Sequence, residues 1–304
     1  MYINLSKVNN IHMYSRKKGV FLFKSICIKT NNSQTISYLI NELEQLHLSN
    51  TFFSCHEFKN YTNIIVHYKG SSISLFISSI SKILSYLVLD LYENLIIKKL
   101  INFDYFYFVP DEQNSIFNIC LENLNYEDSL NRFGILENAF YEYLYTNKSL
   151  NLNGFITFRL SEYLKYINTI IDICVNKYLI NKEYLEFIKL LNTYVKTSPM
   201  VADIVHLIYT NNESILLDKS NNIIPINEKI FNVHYLSDIT FSSNDYALNN
   251  LLTLLPKELY IHLNDEEDEF INTLKLIFDN RIYICNNCNI CKAYRKHNKS
   301  INKN

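Results

Sequence analysis

Glycine and proline are scarce in this chain. There are four of each among 304 residues, and there is no tryptophan. Four glycines exclude a glycine-rich phosphate loop, which needs several of them to let backbone N–H groups crowd an anion. HExxH, GxSxG, P-loop and GxGxxG motifs are all absent. Net charge is lacking too. With 29 Lys and Arg against 30 Asp and Glu, the chain has no global pull toward nucleic acid or an anionic membrane. Residues 1–10 lack the basic-then-apolar layout of a secretory leader, so a cytoplasmic location with reduced thiols is expected. No repeat of 20–50 residues is visible. The longest apolar stretch, Ile73 to Ile101, is interrupted by Lys82, Asp90 and Glu93. A spanning helix needs about 20 nearly uncharged residues, so a buried amphipathic helix is expected and no membrane span.

What is abundant is Tyr, Ile, Asn and Lys, the usage of an AT-rich genome. The Asn residues are dispersed among apolar ones and form no low-complexity tract. Periodicity predicts an α+β fold in three regions and a tail. Residues 1–70 form a small N-terminal strand–helix–strand–strand unit: strand 21–30, helix 35–48 and a hairpin of strands 52–58 and 63–68. Residues 71–198 form a helical layer. One stripe runs through Ile73, Phe76, Ile80, Ile83, Leu87, Leu91 and Leu95. Pro110 interrupts the pattern. A short helix covers 135–145, another carries Ile156 to Tyr178, and a further one Tyr184 to Val195. Thr197-Ser198-Pro199 marks a boundary.

Residues 199–291 form a C-terminal α/β subdomain. A hairpin turns at Asn211-Asn212. Ser242-x-x-Asp245 opens a helix that Pro256 stops. Strand 258–263, a helix opened by the acidic run Asn264 to Glu269, and strand 281–284 make a parallel strand–helix–strand unit. Glu266 and Glu269 read as a solvated helix start, not an acid–base pair. Residues 292–304 are a basic tail.

One cluster carries chemistry: Cys285-Asn286-Asn287-Cys288-Asn289-Ile290-Cys291. Thiolates at two-residue gaps turn toward one point and bind borderline metals. Zinc stands ahead of an iron–sulfur cluster, which shares the spacing but would need a fourth Cys followed by Pro. His297, six residues on, is the local candidate for a fourth ligand. Cys27, Cys55, Cys120 and Cys174 lie in apolar patterns and read as small core hydrophobes. A dithiol pair, Cys285 and Cys288, is a redox alternative, although no strong helix follows to lower a thiol pKa. The basic tail offers a third reading, a nucleic-acid-binding regulator, set against a solvated terminus. Gly154 stands at a helix entrance, which suggests a backbone requirement. Arg159 and Glu162 are spaced to pair along a helix, or with Tyr163 to face a pocket or partner.

Gly154-Phe155-Ile156-x-Phe158-Arg159-Leu160-x-x-Tyr163 resembles one stretch of the sporulation protein YtxC family of endospore-forming Firmicutes. Leu254-Leu255-Pro256-Lys257-Glu258-Leu259-Tyr260-Ile261-His262, with Arg281-x-x-Ile284-Cys285-x-x-Cys288-x-x-Cys291, resembles another. The resemblance runs from the N-terminal strand to Cys291. It implies a sporulation-associated protein whose biochemical activity is not established, and it carries no catalytic residue across. Asn286-Asn287 departs from the Gly expected before Cys288. The resulting expectation is a cytoplasmic, non-enzymatic protein with a metal-binding cysteine cluster. Its partner is an unidentified protein or a second copy, with nucleic acid not expected.

Overall fold

The computed structural model describes residues 22–126, 129–225, 242–263, 268–285 and 287–293. The fold is α+β, with two small mixed sheets among helices. The chain divides into two compact units between Tyr178 and Leu179.

The first unit opens with β1 (Leu22–Thr30), α1 (Ser33–Gln45), β2 (Thr51–Glu57) and β3 (Thr62–Gly70). Asn32 caps α1, its side chain accepting from the Thr35 N–H. The sheet order is β2-β3-β1-β4, where β4 is Ser149–Asn151, a three-residue strand too short to show a period. β1 runs antiparallel to β3 and parallel to β4. Strict alternation buries Ile26, Ile28, Ile64, Val66 and Tyr68 on the helical side. Gly70 is required by a close approach, since a Cβ there would fall 2.3 Å from the Tyr68 hydroxyl.

Helices α2 (Ile73–Leu87), α3 (Glu93–Asp104), α4 (Pro110–Tyr126), α5 (Ser129–Thr146), α6 (Leu152–Phe158) and the start of α7 (Ser161–Thr197) follow. By length and composition Ile73–Asp104 could cross a membrane, but half of its most apolar window is buried in the protein. A π-helical turn at Val88–Tyr92 separates α2 from α3. Its extra residue rotates the apolar stripe by about 100°. The sequence stripe therefore fails beyond Leu87: Leu95 is exposed, while Glu93, Ile97 and Ile101 are buried.

The turn also aims polar groups inward. Glu93 forms a buried ion pair with Arg132 of α5 and accepts from the Tyr163 hydroxyl of α7 at 2.5 Å. Arg132 also donates to the Leu124 carbonyl at 2.8 Å. Burial, then the charge of Glu93, push the Tyr163 phenol well above its ordinary range.

Other sequence expectations shift for physical reasons. Pro110 begins α4, because a first-turn N–H makes no intrahelical hydrogen bond that proline would forfeit. The segments read as helices through Tyr178 and Val195 are one helix of 37 residues, α7, and Ile156 belongs to α6. Gly154 has no positive φ, and a Cβ would make only ordinary contact at 3.6 Å. Of the six positive-φ positions among the described residues, four fall instead on Asn50, Asn211, Asn212 and Asn221, the others being Leu255 and Asp279. Asn tolerates that region through local hydrogen bonding, and a chain poor in glycine uses it there.

In the second unit, β5 (Ile204–Thr210) and β6 (Glu213–Asp218) form the hairpin around Asn211-Asn212. Their φ values of 51° and 60° suit the tight turn that matches strand twist. α8 (Ser243–Leu254) starts with a full Ser242–Asp245 capping box. β7 (Glu258–Leu263), α9 (Glu269–Phe278) and β8 (Ile282–Cys285) complete the sheet in the order β6-β5-β7-β8. β5, β7 and β8 are mutually parallel. Val205, Leu207, Leu259 and Ile261 face a core that includes Ile188, Leu251, Ile271, Leu274 and Phe278. Of the acidic run, Asn264 to Glu267 lie outside the described residues. Asp268 caps α9 by accepting from the Ile271 N–H.

Removing Arg132 leaves the Glu93 carboxylate buried without its partner. Arg132→Met should cost about 3–5 kcal/mol in urea unfolding, against about 1.5–3 kcal/mol for Tyr163→Phe. If Arg132→Met costs less than Tyr163→Phe, the ion pair is not what holds these helices.

Candidate metal centre

The face of the second sheet opposite its core carries His206 on β5, Tyr260 and His262 on β7, and Tyr283 and Cys285 on β8. The parallel register fixes who meets whom: Tyr260 pairs with Tyr283, and His262 with Cys285. The rings form a ladder, with centroids 5.5 Å apart for His206–Tyr260, 5.2 Å for His206–His262 and 5.1 Å for Tyr260–Tyr283.

After β8 the chain folds back over this face. Residues 289–293 make a helical turn that the sequence reading did not expect. Cys288 stands at its start, accepting from the Cys291 N–H at 3.4 Å, and its carbonyl accepts from the Lys292 N–H. Cys291 is thereby tucked inward and buried.

Four ligand atoms converge. His262 Nδ1 lies 3.3 Å from Cys291 Sγ and 3.4 Å from Cys288 Sγ. Cys291 Sγ lies 3.6 Å from Cys288 Sγ and 3.9 Å from Cys285 Sγ. All four atoms lie within 4.8 Å of one another, so this group could hold a metal ion. His262 is 3% exposed, and its other nitrogen, Nε2, is 3.1 Å from His206 Nδ1. With Nδ1 as a ligand, Nε2 carries the proton and donates to His206, which fixes the ring's tautomer and angle.

The electrostatics suit a metal. Burial, helped by the neighbouring His206, pulls His262 down to about 4, so the imidazole is neutral and its lone pair free near pH 7. Burial also lowers His206. At Cys288 burial opposes the thiolate, but the Cys291 N–H, the two neighbouring thiols and the Ile290 N–H outweigh it, and the net shift is downward. Burial pushes Cys291 up to about 11, with the neighbouring thiols adding to it. A cation beside these sulfurs would reverse that last shift, since a coordinating thiol is deprotonated.

The structure thus joins Cys285, Cys288 and Cys291 as their spacing suggests. The nitrogen it adds is His262, distant in sequence; His297 and the rest of the tail from residue 294 lie outside the described residues. The signal for His262 was a histidine inside an apolar strand, adjacent to the strand that delivers the cysteines. Elsewhere Cys120 and Cys174 are buried as expected, Cys27 is half-buried, and Cys55 is exposed. Arg159 and Glu162 form no ion pair with each other among the described residues. α6 ends before Arg159, which breaks the helical spacing. Both border a polar cavity of about 660 Å³ with Glu142, Asn147 and Tyr163. The buried Tyr163 hydroxyl is already committed to Glu93.

Residues 78–283, about two thirds of the chain, match the model of the YtxC-like family. This chain belongs to the YtxC-like family. The matched span stops two residues before Cys285. This YtxC-like chain is also 23% identical over 133 residues to the uncharacterized protein YtxC of Bacillus subtilis strain 168, which covers 43% of this chain and 46% of that relative. The chain therefore spans less than half the length of that relative. No solved structure matches it.

His262 makes the metal-free site sensitive to acid. Between about 4 and the ordinary 6.5 the unfolded chain holds a proton that the native ring lacks. Stability of chelator-treated protein should therefore fall as pH drops through that window, with a flatter slope in His262→Gln. Urea midpoints across the window test this, and equal slopes for both proteins would refute it.

Proposed function

We propose that the cluster is a structural zinc centre of a cytoplasmic, non-enzymatic, sporulation-associated protein. One observation carries the zinc reading. With Zn–S about 2.3 Å and Zn–N about 2.05 Å, a tetrahedron has S···S edges of about 3.8 Å and S···N edges of about 3.6 Å. Four of the six separations, 3.6 and 3.9 Å between sulfurs and 3.3 and 3.4 Å from sulfur to nitrogen, lie near those edges, and all six stay within 4.8 Å. Ligands this close converge on one ion. A cluster of several irons would hold its four ligands further apart.

Three thiolates and an imidazole saturate a tetrahedral ion and leave no position for water or substrate. That supports a structural role over a catalytic one. Bound there, the metal would tie the four-residue edge strand β8 and the turn after it to β7. Seven free thiols support a reducing compartment. The sporulation association rests on the family resemblance. The dithiol alternative, read on Cys285 and Cys288 in the sequence, would find Cys288 and Cys291 at 3.6 Å as another pair, but it leaves the oriented His262–His206 pair without a purpose.

Protein purified without oxygen should carry about one zinc per chain by mass spectrometry of metals. Cys288→Ser or His262→Ala should lose most of it, and His206→Ala should weaken affinity about 10- to 100-fold through the lost hydrogen bond. A metal-free wild-type protein with three freely titratable thiols would sink the zinc centre. A brown protein with visible absorption would replace zinc by an iron–sulfur cluster.

A further inference from the structure

The outer face of the first sheet does not behave like a solvated surface. On the side away from the helices, β1 presents Phe23 and Lys29, β3 presents His67 and Lys69, and β2 presents Phe52, as the alternation and register require. Phe52 stands opposite His67, and Ser25 stands opposite it from the other side. The rings stack across three strands: Phe23–His67 with centroids 5.7 Å apart at 28°, and Phe52–His67 at 4.9 Å and 26°. Ser25 Oγ lies 2.8 Å from His67 Nδ1 and fixes the central ring. Yet Phe23 is 62% exposed and Phe52 54%. Lys69 flanks the ladder at one end of the face, opposite Phe23, and Lys29 stands at the other. The outward positions of β1, β2 and β3 include no carboxylate.

We propose that this face binds single-stranded nucleic acid, its bases stacking on the outer faces of Phe23 and Phe52 at the two ends of the ring stack that His67 joins, and its phosphates meeting Lys29 and Lys69. The open ring faces at the two ends of this fixed stack accept the flat π-faces of unpaired bases and gain little from a rigid duplex. Two lysines, on strands whose outward positions carry no carboxylate, complement a phosphate backbone. The overall charge near zero hides this local asymmetry. The surface is distinct from the basic C-terminal tail and belongs to the other compact unit from the metal centre.

The test is fluorescence anisotropy of the full chain with labelled single strands of about 12 nucleotides, RNA and DNA. Binding is expected at about 50 mM salt and should weaken about sevenfold by about 200 mM. Phe23→Ala and Phe52→Ala should each weaken it about five- to hundredfold, and Phe52→Tyr should retain it. Lys29→Gln with Lys69→Gln should flatten the salt slope by about 1.4. Phe52→Leu keeps apolar bulk without a ring face, so it serves if the alanine variant unfolds, and it should weaken binding as well. No binding at low salt would overturn the proposal, as would binding unchanged by all the Phe52 variants. Two other outcomes would also overturn it, each without strand binding: binding only to anionic phospholipid vesicles, or self-association that Phe23→Ala abolishes.

Discussion

The pairing of His262 with Cys285 across β7 and β8 is the constraint on which the second unit's site depends. Parallel register leaves no freedom in it: once Leu259 and Ile261 must face the core, His262 must face away. The same parity sends Tyr283 and Cys285 to that side. A one-residue slip would bury His262 among Leu251 and Ile277 and turn Cys285 from the imidazole. The apolar core thus specifies the polar site. Its strong preference for Leu, Ile and Phe on one face sets the geometry of four potential ligands on the other.

The first unit has a comparable device. One extra residue in a π turn moves a carboxylate where the stripe would have put a leucine. Glu93 then needs Arg132 and Tyr163, and helices α3, α5 and α7 are oriented by that need. Buried ion pairs gain little net stability over apolar packing but punish misalignment. Such a pair defines which face each helix presents. Asp90 and Tyr92, in the same turn, reach Tyr38 and Thr35 of α1 at 2.8 Å, so polar contacts from this turn reach α1 as well.

Much of the fold was legible along the chain. The hairpins, the Ser242–Asp245 capping box, strand β7 to the residue, and the parallel β7–α9–β8 unit all follow from local signals. Apolar period, turn chemistry and caps act within a few residues. Where local signals ended, expectations failed. The π turn has no sequence mark, so Leu95 was placed inside. The three-residue β4 is held by its partner β1. Gly154 looked like a backbone requirement because glycine is rare, yet Asn had taken most of the positive-φ positions. Arg159 and Glu162 looked paired because a helix break at Leu160 was not visible.

The three cysteines announced themselves by spacing, because ligands from one short loop must be close in sequence to converge. That much the chain determined alone, together with its α+β class and the hairpin turn at Asn211-Asn212. Tertiary structure decided the rest. It brought His262 beside the thiols from another strand, gave it His206 as a hydrogen-bonding partner, and assembled a ring ladder from three strands of the first sheet. Those groupings depend on strand register, which is fixed by the burial of apolar side chains far apart in sequence and has no trace in the neighbourhood of any one residue.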